Sequence, residues 1–141
     1  MKRSHWEPPV ILPIVLYATA LVCYSTSFFL PTFGIVVKGQ VVVHDGVDAF
    51  TSSLFIAPFQ GGLKAVVVWL ANPAFWAAAV FFAVRRNQRA LAASLAAVLL
   101  SGWHGFGPLL FVGYYVWLVS LAMLAVACAI NMARPRLPAA A

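Results

Sequence analysis

Between residues 90 and 133 the chain carries no Lys, Arg, Asp or Glu. A straight helix over that run would be ~66 Å long at ~1.5 Å per residue, about twice the ~30 Å hydrocarbon thickness of a bilayer. The run must therefore turn back on itself. The only turn chemistry inside it is Gly102-Trp103-His104-Gly105-Phe106-Gly107-Pro108, which predicts helices over about residues 88–103 and 108–132. The first of these is short for a membrane span. Arg86 and Arg89 can snorkel at one of its ends, and Trp103 can anchor the other.

Two further uncharged stretches precede it. Residues 10–30 follow Pro8-Pro9, a pair that fits a helix start but not a helix interior. Residues 65–84 are entered after Lys64 and closed by Arg85, Arg86 and Arg89. Ala18-Thr19-Ala20 after a basic start also reads as a signal-peptidase site, but the apolar run continues for ten residues beyond it, which favours a retained span. With 64% hydrophobic and 9% charged residues, against about 45–50% and about 25% in soluble domains, an ordinary soluble domain is excluded. The expected fold is a single all-α membrane domain: a four-transmembrane-helix bundle with an outer connector over residues 31–63.

The net charge of +6 would suggest nucleic acid as the partner of a soluble protein. Here the placement of the charges gives another reading. Lys2, Arg3, Arg85, Arg86, Arg89, Arg134 and Arg136 flank one side of the four predicted spans, and only Lys38 and Lys64 flank the other. Positive-inside topology then puts both termini in the cytoplasm, makes the lipid bilayer the partner, and removes nucleic acid from consideration. The connector and the Gly/Trp/His turn lie outside.

Within the connector, Ile35-Val36-Val37-Lys38-Gly39-Gln40-Val41-Val42-Val43 reads as a short hairpin turning at Gly39, and Asp45-Gly46 as the turn that ends its second strand. An isolated hairpin is marginal in water, so it must rest on the bundle. Residues 49–63 are uncharged but too few to span and contain Pro58 and Gly61-Gly62. They read as an interfacial or re-entrant helix.

Catalytic chemistry is not written in this sequence. No ionisable residue falls inside a span apart from Arg89 at an edge, whereas ion-coupled transporters keep such a group in the membrane. Small four-helix multidrug exporters need a carboxylate in the first span, and Glu7 lies before it. His44, His104, Asp45 and Asp48 share the outer side but match no metal-ligand spacing, and no intramembrane histidine is available for haem, so neither metal nor cofactor is expected. Cys23 and Cys128 are expected at heights differing by roughly 10 Å or more, too far for a disulfide.

The remaining candidates serve either a ligand or packing. Pro73 cannot donate to the carbonyl of Trp69, and Asn72 places an amide at depth. Trp69, Asn72 and Trp76 share a helical face. A stripe of Tyr17, Ala20, Tyr24 and Ser27 marks the first span, and one of Gly113, Trp117, Ser120 and Leu124 marks the fourth, with Tyr114 and Tyr115 near its outer end. The structural reading is a kink whose freed carbonyl and amide bond to a neighbouring helix, with Tyr24 and Ser120 as partners. The functional reading is a polar pocket beside Asn72.

The segments Leu30-Pro31-x-Phe33, Asp48-Ala49-Phe50, Trp69-Leu70-Ala71-Asn72-Pro73 and Gly113-Tyr114-Tyr115-Val116-Trp117-Leu118-Val119-Ser120 together resemble a group of small bacterial multi-pass membrane proteins with W-x-A-N-P and G-Y-Y-x-W motifs. The resemblance implies four spans in a bacterial inner membrane and brings no activity with it. The sequence thus predicts a non-enzymatic accessory or interaction protein, of the immunity type or another, with a protein partner or as a homo-oligomer. The alternative is a small oligomeric transporter or channel that uses Asn72 and the hydroxyl stripes.

Overall fold

The computed structural model describes residues 11–56, 63–102 and 109–133. Helix α1 (Ile11–Ser27) ends three residues before the sequence predicts. Pro31 has no N–H to continue a helix and biases Leu30 toward extended backbone, and the chain leaves α1 through a tight turn in which Leu30 N–H donates to Ser27 O at 3.4 Å.

The chain then forms an antiparallel hairpin, β1 (Pro31–Val37) and β2 (Gln40–Asp45), with Val37 opposite Gln40. Lys38 (φ 51°) and Gly39 (φ 80°) both occupy the left-handed region, the two-residue turn whose twist matches that of the strands. Asp45 ends β2 and starts helix α2 (Gly46–Thr51), its side chain accepting the backbone N–H of Asp48 at 2.9 Å. A wide helical turn over Ser52–Ile56 follows. The rest of the expected interfacial helix lies outside the described residues until Leu63.

Helices α3 (Leu63–Trp69) and α4 (Ala71–Ala83) form nearly one rod. The ladder is carried across Leu70 by Leu70 N–H to Val66 O (3.1 Å) and Ala74 N–H to Leu70 O (3.3 Å), and the break falls where Pro73 removes a donor. At the far end Arg85 adopts φ 59°, with Arg85 N–H bonded to Phe82 O (3.1 Å) and Arg86 N–H to Phe81 O (2.8 Å). This paired C-terminal cap is usually built on glycine. Helix α5 (Asn87–Ser101) starts at once and is capped by Gly102. Residues 103–108, which hold most of the predicted turn, lie outside the described residues.

Helix α6 (Val112–Ala133) starts four residues later than expected. Residues 109–111 are extended because they join the hairpin: Gly34 N–H donates to Leu109 O and Phe111 N–H to Thr32 O, both at 2.9 Å, with Phe33 opposite Leu110. The chain is thus mostly helical but not purely so. A small sheet sits across one end of the helices.

The core explains the alanine content. Ala20 and Tyr24 of α1, Phe75, Ala78 and Ala79 of α4, Ala90 and Ala97 of α5, and Leu121, Leu124 and Cys128 of α6 form one buried cluster. Helix α1 lies along α6, α6 along α5, and α5 along α4. Small residues allow close backbone approach. Between α1 and α4 the space is filled by stacked rings, Tyr17 on Phe82 (4.7 Å) and Tyr24 on Phe75 (4.2 Å). The outward surfaces are apolar as well, with Ile11, Ile14, Val22, Val80, Leu99 and Val119 all exposed. Val66–Ala83 and Val112–Ala133 are long and apolar enough to cross a membrane. Helix α1 is apolar but has 17 residues and α5 has 15, both below the ~20 of a typical span.

Candidate functional site

Asn72 joins three helices. Its Oδ1 accepts from Tyr24 Oη of α1 at 2.8 Å and from Trp117 Nε1 of α6 at 3.1 Å, while its Nδ2 donates to Trp69 O at 3.0 Å. The last bond goes to the carbonyl that Pro73 leaves without a helical donor, so the amide mends its own helix as well as joining two others. Asn72 is 9% exposed and Tyr24 2%. A buried amide with each of its groups paired costs little, whereas an unpaired one at this depth costs several kcal/mol, roughly.

Ser120 does not take part. Its hydroxyl turns back on its own helix, donating to Trp117 O at 2.6 Å. Trp117 replaces it as the partner from α6. The sequence does place Trp117 on the same face as Ser120, but nothing local marks its indole N–H as aimed at residue 72.

Tyr114 Oη donates to Ser101 O at 3.1 Å and so ties α6 to the end of α5. Tyr115 is 42% exposed and meets Tyr114 edge-on at 5.7 Å, apart from the Asn72 group. Pro73 lines a cleft between α1 and α4. Trp69 stands at the hairpin end of the helices: its ring lies 5.5 Å from Phe50, and its buried Nε1–H meets no acceptor among the described residues.

Above Asn72 is a hollow of about 260 Å³. The hairpin and α2 roof it with Phe33, Ala49 and Phe50; the end of α1 and the turn after it contribute Ser27 and Phe28, and α6 contributes Gly113, Tyr114 and Trp117. Two glycines let the roof approach this closely. A Cβ on Gly113 would lie 2.7 Å from Pro31 O and 2.8 Å from Leu30 O, and one on Gly46 would collide with Ser27 O and with Phe28 Cα (2.6 Å). Val47 N–H donates to Phe28 O at 3.1 Å and fixes α2 over the end of α1.

Beside this hollow, under α2, lies the cleft lined by Tyr24, Phe29, Pro73 and Trp76. Phe28, Phe50, Trp69 and Asn72 border both spaces. The rings of Phe28 and Phe50 (5.7 Å) and of Phe50 and Trp69 (5.5 Å) form the partition between them. Among the described residues no Lys, Arg, Asp, Glu or His lines either space.

His44 stacks on Phe33 at 4.9 Å and its Nδ1 lies 3.4 Å from Asp48 Oδ2. Among the described residues no three His, Cys, Asp or Glu side chains converge as metal ligands. Cys23 and Cys128 are free thiols. No family model, curated protein or solved structure matches the chain.

Proposed function

We propose that this chain is a four-span, non-enzymatic accessory protein of a bacterial inner membrane, with both termini in the cytoplasm, that works by binding a ligand or partner at its outer end. In this reading α1 and α5 cross beside the two longer helices, with Arg86 and Arg89 at the cytoplasmic end of α5. Support for the membrane setting comes from helices that are apolar outside as well as inside and from the one-sided distribution of basic residues.

The observation that carries the binding reading over transport is how the helices' polar groups are used. The hydroxyls of Ser27, Ser94, Ser101 and Ser120 each donate to the carbonyl three residues earlier, at 2.6–2.8 Å. The Asn72 amide is spent on Tyr24, Trp117 and Trp69. Tyr24, Phe75, Leu121 and Leu124 fill the centre at 0–2% exposure. Among the described residues a solute would find neither open space nor free hydrogen-bonding groups along such a core, whereas the outer hollow is an open space bordered by Trp69, whose Nε1–H has no acceptor among those residues.

Reconstitution into liposomes tests this. Vesicles holding the protein should leak protons, potassium and small polar solutes no faster than empty ones. Saturable flux would replace the accessory reading with that of a transporter.

A further inference from the structure

We propose that the outer hollow seats the head of a quinone-type lipid: a neutral, flat, carbonyl-bearing ring whose apolar tail leaves through the cleft between α1 and α4. This rests on the reading of the outer end as a binding site and specifies its ligand.

The chemistry of the walls selects the class. Among the described residues no charged side chain lines the hollow or the cleft; against such walls an anionic or cationic head would lose its hydration without a counter-charge, so the occupant is neutral. The walls are largely rings: Phe28, Phe33, Phe50, Trp69, Tyr114 and Trp117. Electron-rich faces of this kind stack on a flat, electron-poor ring. Trp69 borders the hollow and its buried Nε1–H has no acceptor among the described residues, so an occupant that brings a hydrogen-bond acceptor, such as a ring carbonyl, within its reach would satisfy it.

Size and access agree with this. A volume of about 260 Å³ lies just under the ~300–1,000 Å³ of drug-sized sites, enough for one substituted ring but not for a whole lipid. The tail needs an exit. The adjoining cleft supplies one, bordered by Phe29 (81% exposed), Trp76 (49%) and Val47 (45%), apolar residues suited to lipid contact. Among the described residues Phe28, Phe50, Trp69 and Asn72 lie between head and tail, and a rotation of the Phe50 ring, on the short helix α2, would join the two spaces.

The test uses the full chain in nanodiscs and a radiolabelled decyl-substituted benzoquinone, with binding measured by equilibrium dialysis against empty nanodiscs. Saturable binding near one per chain is expected. Trp69→Phe keeps the ring but removes the N–H and should weaken binding about three- to ten-fold, as for one net hydrogen bond. Ala49→Phe fills the hollow and should abolish saturable binding with the melting temperature preserved. Ser53→Phe, also on the rim, serves the same purpose if Ala49→Phe folds poorly. The proposal is overturned if the wild-type protein shows no saturable binding, if Trp69→Phe and the folded filling variant both bind as the wild type does, or if dioctanoylglycerol displaces the quinone with equal affinity. Loss of quinone binding with tight liposomes removes only this proposal; quinone binding accompanied by solute flux removes the accessory reading instead.

Discussion

The side-chain amide of Asn72 donates to the carbonyl oxygen of Trp69 across 3.0 Å, taking the place of the backbone donor that Pro73 cannot supply. A break in one helix and a polar group at depth, each costly alone, are resolved by a single side chain. Its other end then reaches two neighbouring helices.

Replacement of Asn72 by Ala should therefore remove three bonds at once and strand Tyr24 Oη, Trp117 Nε1 and Trp69 O. At about 0.6 kcal/mol for an average intramembrane hydrogen bond, the expected loss is about 1–2 kcal/mol, read as a lower melting temperature in detergent. In a double-mutant cycle, Tyr24→Phe should cost much less in the Asn72→Ala background than in the wild type. Additive effects would show that the 2.8 Å Tyr24–Asn72 contact carries no energy.

Gly113→Ala should separate the roof from the bundle. The new methyl would meet two carbonyl oxygens within 2.8 Å, and overpacking against backbone costs about 1–3 kcal/mol. Limited proteolysis should then cut the hairpin faster than in the wild type. Unchanged proteolysis would mean that the roof is not held by this close approach.

Arg85→Gly should stabilise. Arg85 occupies the left-handed region at φ 59°, where a side chain costs roughly 1 kcal/mol relative to glycine. The expected gain is up to about that amount in thermal unfolding, with Arg86 and Arg89 still holding the orientation. A loss of stability would show that the Arg85 side chain has a partner of its own.

Orientation can be read directly. Reporter fusions at Gly39, in the hairpin turn, and after Ala141 should report opposite compartments, outside and cytoplasmic respectively. The same compartment for both would require an even number of crossings between them in place of three, so that one of the helices does not cross.

Fusions bearing a periplasm-active and a cytoplasm-active enzyme at each site remove the ambiguity of either reporter alone. Activity of the cytoplasmic enzyme at Gly39 would reverse the assignment of the outer end.

What could be read beforehand depended on how local the physics was. Lys38-Gly39 between β-branched residues specifies its turn within a few residues, and Asn72-Pro73 in an apolar run has few ways to satisfy its amide, so both were visible in the sequence. The start of α6 was not. Residues 109–111 are extended because Thr32 and Gly34, more than seventy positions away, take their backbone groups, and nothing nearby signals it. For the same reason the sequence points to Ser120 as the α6 partner of Asn72: Trp117 lies on the same helical face, and only its indole N–H reaches across. The Phe28–Phe50–Trp69 partition unites three segments and has no sequence signature at all.

The bonds between Thr32, Gly34 and residues 109–111 also bear on the order in which the protein is made. Helix α1 and the hairpin emerge from the ribosome more than sixty residues before their packing partner α6 and the extended residues that precede it. Until α6 is in place, the first third of the chain has its roof without its support, and the unpaired edge of β1 remains open to wrong partners. A chain cut short after Gly102 should therefore be cleared by membrane proteases rather than accumulate.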